Sequence, residues 1–224
     1  MQTWAIVVAA GSGTRLGFDH PKAFVKLDGR PLLAHSIELF EDHPAIDRIV
    51  LVVPADWQEP TTLLADDLVA GKVAAAVAGG ATRAHSVAAG LAELPPSVEL
   101  VLVHDAARPL ADAELVDRVL AGLQDADGCI PVLPVTDTTK RVESGQVVET
   151  LDRGSLVAVQ TPQLFRTSAL RAAYERAGAD IGNATDCSSL VEAAGFRVLT
   201  VPGDPRNLKI TDQSDLARAE SMFA

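Results

Sequence analysis

The sequence predicts an α/β fold: a mainly parallel, doubly wound, Rossmann-like sheet with a projecting β-hairpin arm. Three observations carry this. Short apolar runs without polar alternation recur along the chain, as strands buried on both faces require. Amphipathic stretches of helical period separate them. The first run also leads into a glycine-rich loop, at the kind of place where such sheets take ligands, beyond the C-terminal ends of strands.

Taken in order, strands are expected over Trp4–Ala9, Arg48–Val53, Lys72–Ala78, Glu99–Val103, Gly128–Val132 and Arg197–Val201. Helical patterns fall between and after them, over Pro31–Glu41, Trp57–Ala70, Thr82–Leu94, Asp112–Gln124, Thr167–Ala177 and Cys187–Ala194, with a last helix from Asp212. Pro31 suits a first helical turn; Gly71 and Gly195 suit helix stops. The stretch from Val135 to Gly154 breaks the rhythm. It is polar, with short β patterns on either side of Ser144-Gly145, and reads as a hairpin. A hairpin with so few core residues is marginal alone and calls for packing against something else, most naturally a second subunit.

At 224 residues the chain is long enough for one substantial domain and short for two, so residues 1–224 are expected to form a single unit. Hydrophobic residues at 48% and charged residues at 22% place it among ordinary globular proteins. A net charge of −11 argues against nucleic acid and anionic membranes as partners and leaves phosphate binding to local cations. Cys129 and Cys187 lie far apart with no metal-type spacing, and read as inert thiols of a reducing compartment. With no membrane-length apolar run and no signal-peptide pattern, the expected location is cytoplasmic.

The glycine loop reads Ala9-Ala10-Gly11-Ser12-Gly13-Thr14-Arg15-Leu16-Gly17, with Pro21-Lys22 behind it. Glycines let backbone N–H groups approach an anion closely, and Arg15 and Lys22 add the charge a polyphosphate demands. No Lys-Ser or Lys-Thr follows Gly17, so it is not a P-loop. Its third glycine comes one residue late, and Pro21 interrupts, so it is not the dinucleotide fingerprint. Polar clusters recur after later strands: Gly79 to Val87, then His104-Asp105-Ala106-Ala107-Arg108-Pro109. Further clusters are Asp137-Thr138-Thr139-Lys140, Asp152-Arg153-Gly154, Gln160 to Phe165, Thr185-Asp186 and Asn207 to Thr211.

The loop pattern A-A-G-x-G-x-R-x-G with P-K resembles that of the sugar-nucleotide pyrophosphorylases and related nucleotidyltransferases. The ordered set of clusters, spanning essentially the whole chain, resembles the 2-C-methyl-D-erythritol 4-phosphate cytidylyltransferase family. Its nearest alternative is the family using ribitol 5-phosphate. A nucleotide-binding regulator without turnover is the rival of another class, and the absence of an Asp-x-Asp motif at His104-Asp105-Ala106 argues against a glycosyltransferase.

The resemblance implies an enzyme in isoprenoid synthesis that uses CTP and a divalent metal, Mg2+. It implies catalytic roles for Arg15, Lys22, Arg153 and Lys209, and CTP contacts from Ala9, Ala10, Gly11, Gly13, Gly80, Arg83, Ser86 and Ala106. Asp105 becomes the metal ligand, and Arg108, Thr138, Arg153, Thr185 and Lys209 hold the second substrate's phosphate. The hairpin's Thr138 and Arg153 would reach a neighbouring subunit's site, which implies a homodimer. Ala81, His85 and Val157 depart from residues common in that family. His85 reads as a helix-surface residue, and no histidine is required, because the attacking phosphate is already anionic.

Overall fold

A computed structural model describes residues 1–11, 13 and 16–223. Its first strand, β1 (Thr3–Val8), shows why the apolar runs lack alternation. Trp4 and Ile6 enter the hydrophobic cluster on one face of the sheet, Ala5 and Val7 the cluster on the other. With helices on both faces, a strand has no solvent side for polar residues.

A short antiparallel pair, β2 (Lys26–Leu27) and β3 (Arg30–Pro31), precedes α1 (Leu32–Asp42), for which Pro31 stands at the N-cap. The alternation then runs through β4 (Arg48–Val53), α2 (Gln58–Asp67), β5 (Val73–Ala78) and α3 (Arg83–Ala92). It continues through β6 (Leu100–Asp105), α4 (Ala113–Gly122) and β7 (Gly128–Pro134). The arm follows as an antiparallel hairpin of β8 (Lys140–Glu143) and β9 (Gln146–Thr150). Ser144 and Gly145 turn it, both at positive φ, as the tightest hairpin turns require. Then come β10 (Val157–Val159), β11 (Gln163–Arg166), α5 (Thr167–Ala177), α6 (Cys187–Ala193), β12 (Val198–Pro202) and α7 (Gln213–Glu220). Asp112, Asp186 and Asp212 cap α4, α6 and α7 by accepting first-turn N–H groups.

In the main sheet the order runs β5, β4, β1, β6, β11, β7, β12. β1 pairs in parallel with β4 and β6, β4 with β5, and β7 with β12. β11 is antiparallel to both β6 and β7, and β10 continues it along the same edge of β7. The predicted strands and helices are all present among the described residues. The two antiparallel strands of the main sheet are additions, as is the short β2–β3 pair. β10 and β11 span three and four residues, too short to show a period, and Pro162 just ahead of β11 argues against a strand; they are extended because β6 and β7 offer unpaired edges.

One glycine in the core permits a close crossing: a Cβ on Gly90 of α3 would stand 2.7 Å from Ile6 Cγ2 and 3.0 Å from Val52 Cγ2. A third, smaller cluster matters more for function. Leu16, Val25, Leu27 and Leu32 from the start of the chain pack with Ile210, Leu216 and Ala219 from its end. This pins the segment after the glycine loop against the one that carries Lys209.

Candidate active site

β1 sits where the winding reverses, with β4 and β5 on one side and β6 on the other, and ligands of such sheets lie at that switch point. A cleft of about 440 Å³ opens there. Its floor is Val8 to Gly11 after β1 and Asp105 to Ala107 at the end of β6; its walls are Lys22, Ala81 to Arg83 and Lys209. A second cleft, of about 610 Å³, lies beside it under α6, lined among others by Arg108, Thr161, Gln163 and Thr185. Arg83, Asp105 and Lys209 border both. They are the seam between two binding spaces.

At that seam Asp105 is 7% exposed, and both its oxygens are engaged. Arg83 Nε donates to Oδ1 and Lys209 Nζ to Oδ2, each at 2.8 Å. Burial alone would raise the Asp105 carboxyl, but the Arg83 guanidinium and the Lys209 ammonium outweigh it and hold it well below the usual carboxylate range. The carboxylate therefore stays ionised.

Lys22 sits in a short 3-10 turn, Lys22–Phe24, and its Nζ donates to the Ile210 carbonyl at 2.9 Å. Gly13, at φ +66°, lies over it: a Cβ there would meet Lys22 Cβ at 2.6 Å, so only glycine lets the loop close onto the lysine. Around the second cleft the Arg108 guanidinium donates to the Asn207 carbonyl at 2.8 Å and the Val159 carbonyl at 3.2 Å. Four buried polar atoms here lack a partner: Arg83 Nη2, Arg108 Nε, Gln163 Oε1 and Asn207 Oδ1. Buried polar groups are ordinarily satisfied; the two guanidinium donors among these fit a place that binds anions, and the two amide oxygens can only accept, as from a hydroxyl.

A model of one family, 2-C-methyl-D-erythritol 4-phosphate cytidylyltransferase (IspD), matches residues 3–224. The chain belongs to that family. A relative of that name from Cereibacter sphaeroides is 44% identical, over 100% of this chain and 98% of its own length. A bifunctional IspD/IspF enzyme from Desulfotalea psychrophila is 41% identical over 100% of this chain, but the chain spans only 57% of that longer protein. Among solved structures, the 4-diphosphocytidyl-2C-methyl-D-erythritol synthase of Anaerococcus prevotii superposes with a TM-score of 0.87 at 31% identity, covering 99% of this chain and 96% of that one. The mixed, mostly parallel sheet with helices on both faces is the fold of these relatives.

Of the residues the family resemblance marks, the first cleft gathers Ala9, Ala10, Gly11, Lys22, Arg83, Asp105, Ala106 and Lys209. Arg108 and Thr185 line the second. Arg15 lies outside the described residues. Gly80 and Ser86 line neither cleft: Ser86 is buried, and its Oγ accepts from the Gly80 N–H at 3.2 Å and donates to the Thr82 carbonyl at 3.1 Å. Ser86 thus shapes the loop that ends in Arg83. Thr138 and Arg153 are exposed on the arm and line neither cleft, with Arg153 donating to the Thr136 carbonyl. Sequence reading passed over His104, Gln160, Thr161 and Asn207, although each stands in a cluster it had marked.

Concerning metal, no group of three or more His, Cys, Asp or Glu suited to a metal ion occurs among the described residues. The single carboxylate fits Mg2+ all the same. That ion often takes one or two carboxylates and completes its shell with phosphate oxygens and water. A carboxylate offers about four lone-pair sites, and Arg83 and Lys209 take one on each oxygen.

His104 supplies a pH dependence. It is fully buried, and burial pushes its imidazole down from 6.5 to about 4, against a smaller upward pull from Asp105. Between those values the unfolded chain binds a proton that the folded one refuses, so stability falls as pH drops through that window and is complete above it. The full span is worth about 3 kcal/mol. Urea unfolding at pH 7.5, 5.5 and 4 is expected to show His104→Phe losing less stability on acidification than wild type. Parallel losses would contradict it.

Proposed function

We propose that the chain joins CTP to 2-C-methyl-D-erythritol 4-phosphate, releasing pyrophosphate and 4-diphosphocytidyl-2-C-methyl-D-erythritol in the non-mevalonate isoprenoid pathway. The observation that carries this reading is the seam: two clefts of substrate size meet at one ionised carboxylate and two cations. An enzyme that makes a bond between two phosphorylated molecules needs that arrangement, because the reacting phosphates must meet in line at one point.

In this reading CTP occupies the first cleft, its triphosphate against the backbone of Ala9 to Gly11 and Gly13, and against Lys22. The polyol phosphate occupies the second, held by Arg108, Thr185 and Lys209. One of its phosphate oxygens forms the new bond to the α-phosphorus, and the bond from that phosphorus to the bridging oxygen breaks, with its electron pair leaving on pyrophosphate. Charge builds on the α-phosphate oxygens; Lys22 and Lys209, which line the cleft, are proposed to meet it, and the family resemblance adds Arg15. Asp105 would hold Mg2+ together with the phosphates; when bound, the ion withdraws charge from the phosphate oxygens. No side chain needs to act as a base.

The proposal extends to assembly. Residues 1–224 act as one catalytic unit whose arm, about residues 135–154, places Thr138 and Arg153 in the site of a second copy. Exposed Val142, Val147 and Val148 on that arm support a homodimer. Two unpaired, buried cysteines support a cytoplasmic setting. No helix of the described residues is long and apolar enough to cross a membrane.

The test is pyrophosphate release by purified protein with CTP and Mg2+, comparing methylerythritol 4-phosphate with ribitol 5-phosphate. Release with the first only, abolished by EDTA and restored by excess Mg2+, is the expected result. Release with ribitol 5-phosphate only would move the chain to the other polyol, and silence with both would overturn a catalytic reading.

A further inference from the structure

His104 lies between the two clefts yet lines neither. It is 0% exposed, and both ring nitrogens are engaged. Its Nε2 is 3.2 Å from the Arg108 carbonyl, which can only accept, so Nε2 carries the hydrogen. Its Nδ1, 3.1 Å from Thr161 Oγ1, is then the acceptor of the threonine hydroxyl. That same Oγ1 accepts the Asp105 backbone N–H at 3.0 Å. The edge of the ring meets Phe40 from α1, with centroids 5.5 Å apart and planes at 79°.

Both hydrogen-bond partners have a bearing on the site. Through Thr161 the imidazole fixes the backbone that presents the Asp105 carboxylate. Through the Arg108 carbonyl it fixes the turn whose guanidinium faces the second cleft. A fixed neutral tautomer performs both tasks without adaptation.

We propose that His104 is a positioning residue that couples the two half-sites, setting Asp105 for the metal-nucleotide and Arg108 for the polyol phosphate. The proposal rests on the cytidylyltransferase reading, and its test separates the two halves. His104→Asn places an oxygen where Nδ1 stands, keeping the acceptor for Thr161 and losing the donor to Arg108. His104→Gln places an amide nitrogen where Nε2 stands, keeping that donor and losing the acceptor. His104→Phe keeps the ring and loses both.

In steady-state pyrophosphate release, His104→Asn is expected to raise KM for the polyol phosphate about tenfold with kcat near wild type. His104→Gln should show the reverse split, kcat about tenfold lower with that KM little changed. His104→Phe should show both effects. Identical constants for the Asn and Gln variants, or a His104→Phe enzyme within about twofold of wild type, would overturn the proposal. If His104→Phe does not fold, the Asn and Gln pair decides alone. A purely structural role would lower the active fraction and Tm of the Asn and Gln variants alike while leaving KM untouched in both, and that result also overturns it. Silence of the wild type would overturn the functional reading itself and is seen in the control before any variant is compared.

Discussion

Lys22→Ala is expected to lose roughly 10²- to 10³-fold in kcat, the scale for removing one preorganised donor from a transition state. Its Tm should stay close to that of wild type. The structure separates the two effects. Packing at the turn is done by Ala23, which is buried, and by Phe24, whose ring meets Trp57 at 4.3 Å; the lysine is only half-buried and reaches along the cleft to the Ile210 carbonyl. Removing its ammonium leaves that hydrophobic contact in place, so the stability change should lie within about 1 kcal/mol. In the proposed reaction the charge on the α-phosphate is greater in the transition state than in bound CTP, so kcat should fall more than the KM for CTP rises. Pyrophosphate release and thermal unfolding on the same preparation check this. A variant with wild-type kcat and a depressed Tm would reassign Lys22 to the scaffold.

The sequence made the place of Lys22 at the cleft legible because its signal is local: a strand, a glycine loop and a Pro-Lys pair within a few turns of chain. The strand-helix alternation was legible for the same reason. What it could not show were partnerships across distance. Arg83 was marked for the nucleotide, and the structure has it clamping Asp105, 22 positions away; Lys209 joins them from 104 positions away. Neither pairing leaves a periodicity or a spacing. They exist because the start of α3, the end of β6 and the segment after β12 converge at one edge. Ser86 illustrates the same limit at short range. Its position in the motif is right beside the site, but the geometry of the turn sends its hydroxyl under the loop. The arm was found from its break in rhythm, whereas β11, buried between β6 and β7, was hidden by being four residues long.

Asp105→Asn should lose both activity and stability, which sets it apart from Lys22→Ala. Asparagine keeps the shape of the carboxylate and removes its charge, leaving the Arg83 guanidinium and the Lys209 ammonium facing a neutral amide. Breaking a buried ion pair from one side costs about 3–5 kcal/mol. Here the penalty is smaller, because the Lys209 side chain is 41% exposed and can turn to water, while Arg83 at 21% has less room. About 2 kcal/mol is the expected loss by urea unfolding.

The same imbalance predicts an inversion in nucleotide binding. Asp105 holds both cations to itself; under the proposed reading it should repel a triphosphate in wild type without metal, and Mg2+ should enlarge the Tm increase expected from CTP. In Asp105→Asn the cations have no counter-charge, so CTP alone should stabilise the variant more than it does wild type, and added Mg2+ should contribute little. Turnover should nevertheless be lost, since stronger ground-state binding would not replace the charge withdrawal that the proposed metal would bring to the transition state. An Asp105→Asn protein that keeps wild-type turnover, or an unchanged Mg2+ response in the CTP-induced Tm shift, would place the metal on other residues and leave Asp105 as a structural anchor for Arg83.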